Sequence, residues 1–462
     1  MSRLRRGAIA IVGIASLALA AGVTVRTADA QRIDPRRPSV FVVGPPGGAS
    51  PTVRGDARRS GRAPELLPSG TLRIAWRKTL GLSVEQPALV SADGMLAIVT
   101  ASRGDVIFLD ADGDEKGRVS AGASAVGPAT MTSDGTVVFT TSAGEVVGIR
   151  RTSARPRYVT RIGGERNARA APLSLDDGGV VLATGTDLVV IDAEGNVRAR
   201  TSLTETPAAS LLASGERVVA VSGTGAVYGW TPGREPVRLG TFGGPIDGGA
   251  ALADANTLVA VIEGNHLVEL DLTRGARSSR SIASQGLYLG PPSVRSVEGG
   301  TLATLLAQTA SRAFVVTIDP AGQETARAPI ATFVPKTLAD GGPAALVPGA
   351  HVGPLVDGRG VVAFAAPEDG RVGVVGPDGA VDTIGELICT RTSRSAGIAG
   401  LTPLGRGAFI VTCESGAVAK ITGAEADSLR GAPPPPAAPA GRPSSSPAPR
   451  GSTSDGHETL TR

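Results

Sequence analysis

Few side chains in this chain have the types and spacing that catalysis or metal binding requires. Asp110, Asp112 and Asp114, with Gly113 between them, resemble the start of a calcium-binding loop. Such a loop needs a bidentate glutamate further along, and Glu115 follows too soon. A hairpin turn is therefore the favoured interpretation of this run.

Phosphate binding and serine catalysis are no better supported. Residues 221–225 (VSGTG) are rich in glycine, but no lysine or helix follows, so a turn between strands is favoured. Ser142 and Ser415 each lie near a glycine without an obvious histidine and carboxylate set. The three histidines are scattered without ligand spacing, at positions 266, 351 and 457. We therefore expect no catalytic, cofactor-binding or metal-binding residues.

The elements that would position any site come from a repeat. A pattern of about 40 residues recurs about eight times, which is typical of a β-propeller when the unit contains only short strands. Each copy opens on a proline or small residue, continues with a β run led by Gly or Asp-Gly, and ends on a second run and a turn. Residues 86–113 and 127–149 show it best.

We predict an all-β fold, an eight-bladed β-propeller of four-stranded antiparallel blades, with seven blades as the alternative. The last blade lacks an outer strand, whereas residues 72–77 (LRIAWR) form a strand without a blade. We expect this N-terminal strand to close the ring, since closure removes two open sheet edges. Inner strands should begin near Pro87, Pro128, Pro172, Pro207, Gly249, Pro291, Pro354 and Ile398.

Composition divides the chain into four segments. Residues 1–30 have the arginine-rich start, apolar run and Ala-Asp-Ala ending of a secretory signal peptide, with a retained membrane anchor as the alternative. Residues 31–70 lead in, with 31–52 interpreted as flexible. The propeller spans 71–423 and carries a Pro- and Gly-rich insertion around 329–352. Residues 424–462 form a Pro-, Ala- and Ser-rich tail that we predict to be disordered.

The charge balance gives no sign of nucleic-acid binding. The net charge is +4, but residues 1–30 hold four arginines and one aspartate, so the remainder has 42 basic and 41 acidic side chains. A balance of +1 with no dense basic run excludes the usual electrostatic footprint of a nucleic-acid partner.

The two cysteines, Cys389 and Cys413, are an even pair in a chain that we expect to be exported, which favours a structural disulfide. Cys389 follows the predicted outer strand of blade 7, and Cys413 ends the second strand of blade 8. Connections between blades and turns between second and third strands open on the same face, so a bond between the two is geometrically reasonable.

Two stretches resemble the quinoprotein-type (pyrroloquinoline-quinone-like) propeller repeat family. Residues 54–64 (RGDARRSGRAP), followed by Ala75-Trp76-Arg77, are similar to the segment that leads into the propeller in that family. The aliphatic–Asp–x–x–Gly turn of residues 109–113, 191–195 and 318–322 is similar to its strand-end signature. The resemblance covers about residues 53–423 and implies the propeller fold.

The family contains quinone-dependent dehydrogenases and non-catalytic members such as the propeller lipoprotein of the outer-membrane β-barrel assembly machinery. In the enzymes the quinone stacks on a tryptophan, often against a disulfide between adjacent cysteines, with calcium nearby. Adjacent cysteines are absent here, and the only tryptophans are Trp76, on the closing strand, and Trp230, at the end of a third strand. The resemblance is therefore nearest to the non-catalytic members.

We expect a monomeric, non-catalytic exported propeller, periplasmic or extracellular, that acts as a protein-binding scaffold in the cell envelope and holds no cofactor. Outer-membrane protein assembly is the most concrete version, although no cysteine for lipid attachment follows the apolar run. A membrane contact is expected only if the N-terminal segment is retained. The alternatives are a dehydrogenase-like or ligand-sensing propeller that uses pyrroloquinoline quinone, and a secreted or surface adhesin-like propeller.

Overall fold

The computed structural model describes residues 25–27, 50–163, 170–275, 277–281, 287–309, 311–332, 352–366, 370–389 and 397–424. Apart from residues 25–27, the predicted signal segment lies outside the described residues. So do residues 31–49, residues 333–351 of the insertion and the tail beyond residue 424.

The described part of the chain folds into strands only, grouped in eight sheets. Two strands precede the blades: β1 (Val25–Thr27) and β2 (Leu72–Thr79). Blade 1 holds β3 (Leu89–Val90), β4 (Leu96–Val99), β5 (Asp105–Leu109) and β6 (Glu115–Ser120). Blade 2 holds β7 (Ala125–Met131), β8 (Val137–Thr141), β9 (Glu145–Ile149) and β10 (Tyr158–Arg161). Blade 3 holds β11 (Leu173–Ser174), β12 (Val180–Thr184), β13 (Asp187–Ile191) and β14 (Val197–Ser202). Blade 4 holds β15 (Leu212–Ser214), β16 (Arg217–Val221), β17 (Ala226–Trp230) and β18 (Val237–Thr241).

The second half of the ring repeats the pattern. Blade 5 holds β19 (Ile246–Leu252), β20 (Thr257–Ile262), β21 (His266–Asp271) and β22 (Arg277–Ser281). Blade 6 holds β23 (Leu287–Val297), β24 (Gly300–Gln308), β25 (Arg312–Ile318) and β26 (Glu324–Thr332). Blade 7 holds β27 (Leu355–Val356), β28 (Val362–Ala365), β29 (Val372–Val375) and β30 (Val381–Thr383). Blade 8 holds β31 (Ile398–Pro403), β32 (Ala408–Cys413) and β33 (Ala417–Gly423).

The N-terminal strand closes the ring as predicted. Strand β2 pairs antiparallel with β33, with Leu72 opposite Gly423 and Thr79 opposite Ala417, and completes blade 8. The eight-bladed prediction is therefore confirmed, and the seven-blade alternative is wrong. Strand β1 adds a fifth, parallel strand to the outer edge of blade 2.

The core lies between the blades. The described residues form eight buried apolar clusters, and each cluster joins two neighbouring blades, including the pair formed by blades 8 and 1. The middle strands are packed on both faces, so β8 (VVFTT) and β12 (VVLAT) are buried throughout. This explains why the repeat shows continuous apolar runs rather than simple alternation.

One boundary differs from the sequence prediction. Residues 329–332 were expected to begin the insertion, but they continue the outer strand β26, where Pro329 is paired with Phe314. A register shift at Phe314 accommodates the proline, whose missing N–H is tolerated on an outer strand.

At two interfaces between blades, an aromatic ring packs directly against a glycine. Trp76 of β2 lies over the turn of blade 1, where a Cβ on Gly113 would come within 2.9 Å of the ring. Tyr158 of β10 lies in the same way over Gly195 of blade 3, at 2.5 Å. Both glycines also have a positive φ, +84° and +89°, so the Asp-x-x-Gly signature meets a backbone requirement and a packing requirement together.

Candidate functional site

The N-terminal segment 50–67 runs around the inner rim of the ring and touches every blade. Its backbone or side chains hydrogen-bond to the inner strands or first turns of blades 1 to 8 in nearly sequential order. These bonds are Val90 N to Ser50 O (2.8 Å), Met131 N to Pro51 O (2.6 Å), Arg59 Nη2 to Pro172 O (3.0 Å), Ala213 N to Ala57 O (2.9 Å), Leu252 N to Arg58 O (2.9 Å), Val294 N to Ser60 O (2.9 Å), Val356 N to Gly61 O (2.9 Å) and Gly407 N to Leu66 O (3.1 Å).

This arrangement follows from the geometry of a propeller. The innermost strand of each blade has one free edge facing the axis, and its N–H and C=O groups need partners. Segment 50–67 supplies them, and Ala57, Ala63 and Leu67 join the apolar clusters between blades. The end of the funnel at the first-to-second-strand turns is therefore filled by the protein's own chain.

Arg59 links blades 3 and 4 to this segment and is 1% exposed. Its Nε donates to the Leu211 carbonyl at 3.1 Å, and its Nη2 donates to the Pro172 carbonyl at 3.0 Å. Its Nη1 donates to the Val53 carbonyl at 3.1 Å and to Thr52 Oγ1. A planar guanidinium with five N–H donors can serve these spread acceptors at once, which a lysine cannot.

Arg54 plays the corresponding part at blade 6. Its Nη2 donates to the Pro292 carbonyl at 2.7 Å and to Ser293 Oγ at 3.2 Å, and its Nε donates to the Arg59 carbonyl at 3.1 Å. Burial lowers the pKa of both arginines to about 10, an effect that the nearby Asp56 carboxylate partly opposes. Both side chains are therefore charged at neutral pH inside the funnel.

Both arginines occupy a left-handed backbone conformation, with φ of 64° at Arg54 and 54° at Arg59. Such a conformation is costly for a residue with a Cβ and persists where the surroundings hold it in place. Here the hydrogen bonds of each guanidinium do so. At Gly61 the chain has a φ of 70°, and a Cβ would come within 2.1 Å of Arg54 Nη2, so only glycine fits.

The resemblance of residues 54–64 to a family segment predicts no role for Arg54 or Arg59. The only sequence feature that could have pointed to their role is two arginines spaced among small residues and glycines, without apolar periodicity. That pattern is also typical of a solvent-exposed linker, so their burial could not be inferred from it.

The two tryptophans lie away from the funnel floor. Trp76 donates its Nε1–H to the Ala111 carbonyl at 3.0 Å, at the seam between blades 8 and 1. Trp230 is buried in the cluster between blades 3 and 4 and donates to the Arg234 carbonyl at 2.9 Å. Both positions agree with their predicted strands.

The Asp110 run forms a turn. Asp110 Oδ1 accepts hydrogen bonds from the backbone N–H of Asp112 (3.0 Å) and Asp114 (2.8 Å), and Oδ2 pairs with Lys116 Nζ at 2.8 Å. The hydrogen bond and charge of Lys116 lower the pKa of Asp110. These contacts occupy the oxygens that a calcium ion would need, so the carboxylate orders the hairpin.

The remaining candidates lie in turns between second and third strands. Ser222 Oγ accepts the Ala226 N–H at 3.0 Å within the glycine-rich run. Ser142 and Ser415 lie in the corresponding turns of blades 2 and 8. Across the described ranges, no group of three or more His, Cys, Asp or Glu side chains is placed to bind a metal ion. Nor does that part of the chain contain a helix long and apolar enough to cross a bilayer.

The two cysteines meet where expected, with Cys389 after β30 and Cys413 at the end of β32. Their sulfurs lie 2.00 Å apart, at disulfide distance, and both side chains are buried. The pair joins blade 7 to blade 8 beside the sheet that closes the ring.

Comparison with known proteins gives a likeness of fold. No protein-family model and no curated protein matches the sequence. Among solved structures, BamB from Moraxella catarrhalis is 15% identical, with a TM-score of 0.53 over 76% of this chain and 100% of that one. The quinohemoprotein alcohol dehydrogenase ADHIIG from Pseudomonas putida HK5 is 12% identical, with a TM-score of 0.58 over 81% of this chain and 80% of that one. The computationally designed Ika8 protein reaches 0.54 at 15% identity, over 74% and 99%.

These neighbours share architecture and differ in what they do. One is named an alcohol dehydrogenase and another is a computational design, so the shared fold leaves activity open. The fold and the filled funnel define the chain as an eight-bladed β-propeller whose central channel is occupied at one end by its own N-terminal segment.

Proposed function

We propose that this protein is a non-catalytic, exported β-propeller that binds a partner protein in the cell envelope. The observation that carries the proposal is the filled funnel. Segment 50–67 uses the free edges of the inner strands and occupies the end of the channel with two buried arginines. Because the end of the channel is occupied, the loops and rims of the rigid ring are the surfaces that remain for binding a partner protein.

Several further observations support export and the envelope setting. The arginine-rich, apolar N-terminus has the composition of a signal peptide, and the cysteine sulfurs lie at disulfide distance. The lack of adjacent cysteines in the sequence and the positions of the two tryptophans, away from the funnel floor, favour a non-catalytic protein. Assembly of outer-membrane proteins is the most concrete form of the proposal.

The test is recovery of the tagged, full-length protein from its native envelope after mild cross-linking. Repeated enrichment of one outer-membrane or envelope protein would support the scaffold. If the protein is recovered alone, with a bound quinone and dye-linked dehydrogenase activity, the scaffold proposal fails and the enzyme hypothesis is supported instead. Protease cleavage of the tail on intact cells would instead favour the surface adhesin.

A further inference from the structure

The outer edge of blade 2 is the least protected of the eight outer edges of the ring. Its strand β10 (Tyr158–Arg161) has aromatic and β-branched residues and a charge only at its last position. The outer strands of the other blades each have a charged residue in their interior. These residues are Lys116, Arg198, Arg238, Arg280, Arg327, Asp382 and Arg73. Interior charges on an edge strand oppose the addition of another strand, so addition is least opposed at β10.

The side chains of β10 are held in place by the neighbouring blades. Tyr158 lies over Gly195 of blade 3, and Thr160 Oγ1 donates to the Gly195 carbonyl. Val159 belongs to the apolar cluster between blades 1 and 2. All three side chains are buried. The strand is therefore ordered before a partner arrives, which lowers the entropy cost of pairing with it.

The pairing of β10 with β9 shows which of its backbone groups face outward. The pair is antiparallel, and just beyond it the Ile162 N–H donates to the Gly144 carbonyl at 3.2 Å. Successive residues of a strand direct their backbone groups to opposite sides, so Thr160 also faces β9. Val159 and Arg161 therefore face the outer edge and offer it two N–H groups and two carbonyls.

The chain itself shows that this edge accepts a strand. Strand β1 pairs with β10 in parallel, with Arg26 opposite Thr160. The bonds of a parallel pair run to the residues on either side of the one opposite, so the backbone of Arg26 is placed to bond to Val159 and Arg161. Among the sheets of the described residues, that of blade 2 is the one with five strands.

Removal of a signal peptide would open this edge again. Strand β1 lies within residues 1–30, which we predict to be cleaved on export. Within the described residues, no other strand pairs with β10 on that side. An unpaired edge of aromatic and β-branched residues is a template for a further strand.

We propose that in the exported protein the outer edge of β10 binds an extended segment of the partner protein, which adds in parallel as a fifth strand of blade 2. Main-chain hydrogen bonds supply the affinity in this mode of binding. The segment is rich in β-branched residues, as residues 23–27 (VTVRT) are. This inference rests on the proposed scaffold function and identifies how its partner is held.

The first test uses the exported protein purified from the envelope, with its N-terminus determined by mass spectrometry. The probe is a fluorescein-labelled peptide of residues 22–28 (GVTVRTA), whose register on β10 is known, and binding is measured by fluorescence anisotropy. N-methylation at Arg26 removes the N–H that faces β10 and should weaken binding about tenfold. N-methylation at Val25, whose N–H faces away, is the matched control and should change the affinity by less than about twofold.

The second test changes the edge instead of the peptide. Arg161 is exposed and its N–H faces outward, so Arg161→Pro removes one donor while the pairing with β9 is kept. This variant should bind the peptide about tenfold more weakly. Arg161→Ala keeps the N–H and should bind like the wild type. Thermal unfolding shows whether both variants fold, and the two methylated peptides decide the question on the wild type if Arg161→Pro folds poorly.

Three results would overturn the proposal. The first is absent binding of the unmodified peptide, or equal effects of the two methyl groups. The second is an exported protein that keeps residues 25–27, because β1 would then occupy the edge. The third is a concentration-dependent dimer in sedimentation that Arg161→Pro abolishes, which would assign the edge to a second copy of this chain.

The two proposals fail in different ways. If cross-linking recovers the same partner in equal amounts with the wild type and with Arg161→Pro, the strand-addition proposal fails and the scaffold proposal stands. If the wild type recovers no partner, the scaffold proposal fails, and the peptide measurement still decides whether the edge of β10 accepts a strand.

Discussion

Replacing Arg59 by methionine tests whether segment 50–67 holds the ring together. Methionine keeps most of the side-chain volume and removes every donor, so the carbonyls of Val53, Pro172 and Leu211 lose their partner. A buried acceptor left unsatisfied costs about 1–3 kcal/mol, which gives roughly 3–9 kcal/mol for three.

The same change also removes a buried charge. Burial, partly opposed by the Asp56 charge, lowers the pKa of Arg59 from 12.5 to about 10, which corresponds to a net cost of about 3.5 kcal/mol at about 1.4 kcal/mol per pKa unit. The opposing contributions leave an expected loss of about 3 kcal/mol in the free energy of unfolding. The lost hydrogen bonds outweigh the relief because three buried acceptors lose their donor while only one charge is removed.

The assay is equilibrium unfolding in urea, followed by tryptophan fluorescence. Trp230 belongs to the same apolar cluster as Ala57 of the segment and therefore reports on this region. Arg58→Met is the matched control, because its side chain is only half-buried, and it should change stability by less than about 0.5 kcal/mol. If Arg59→Met were as stable as the wild type, the guanidinium would contribute nothing net, and the view of segment 50–67 as a tie between blades would be refuted.

Three further predictions concern closure of the ring and its response to pH. The double substitution Cys389→Ala, Cys413→Ala removes the cross-link and should lower the free energy of unfolding by roughly 3 kcal/mol, as measured by urea unfolding. Mass spectrometry should first show that the cysteines of the wild type resist alkylation. Gly113→Ala should lower the free energy of unfolding by about 2 kcal/mol, in part because the new Cβ meets the indole ring of Trp76. Part of that loss should therefore vanish in a Trp76→Ala background, and a double-mutant cycle of thermal unfolding measures this coupling. Burial alone would raise the pKa of Asp134, but hydrogen bonds from Thr132, Thr136 and Arg157 outweigh it and lower that pKa well below 3.8. Its carboxylate therefore adds stability above about pH 4 that is lost as the pH falls, so Asp134→Asn should flatten the decline in unfolding free energy between pH 5 and pH 3.

Each of these predictions has a result that would contradict it, and the pH prediction also has a control variant. Full alkylation of both cysteines in the unreduced wild type would show that they are not bonded. An additive Gly113 and Trp76 cycle would mean that the ring and the turn do not press on each other. Asp378→Asn alters an exposed turn aspartate that accepts one backbone N–H, and it should leave the acid decline unchanged. An identical decline in Asp134→Asn would refute the pH argument.

The sequence by itself determined the elements and their number. Apolar runs such as residues 137–140 and 180–183, each introduced by an Asp-Gly turn, are local signals that a short window contains. The unpaired strand at residues 72–77 predicted closure because blade 8 visibly lacked its fourth strand. The cysteine positions relative to those strands were enough to bring Cys389 and Cys413 to one face.

Only the tertiary structure decided what fills the funnel. Segment 50–67 has no periodicity, because its partners are the free edges of eight different strands or turns. Ser60 meets Val294 and Arg54 meets Pro292, more than 200 positions away, so no local pattern can encode them. Strand patterns depend on neighbouring residues in the chain, whereas these contacts exist only once the ring has closed.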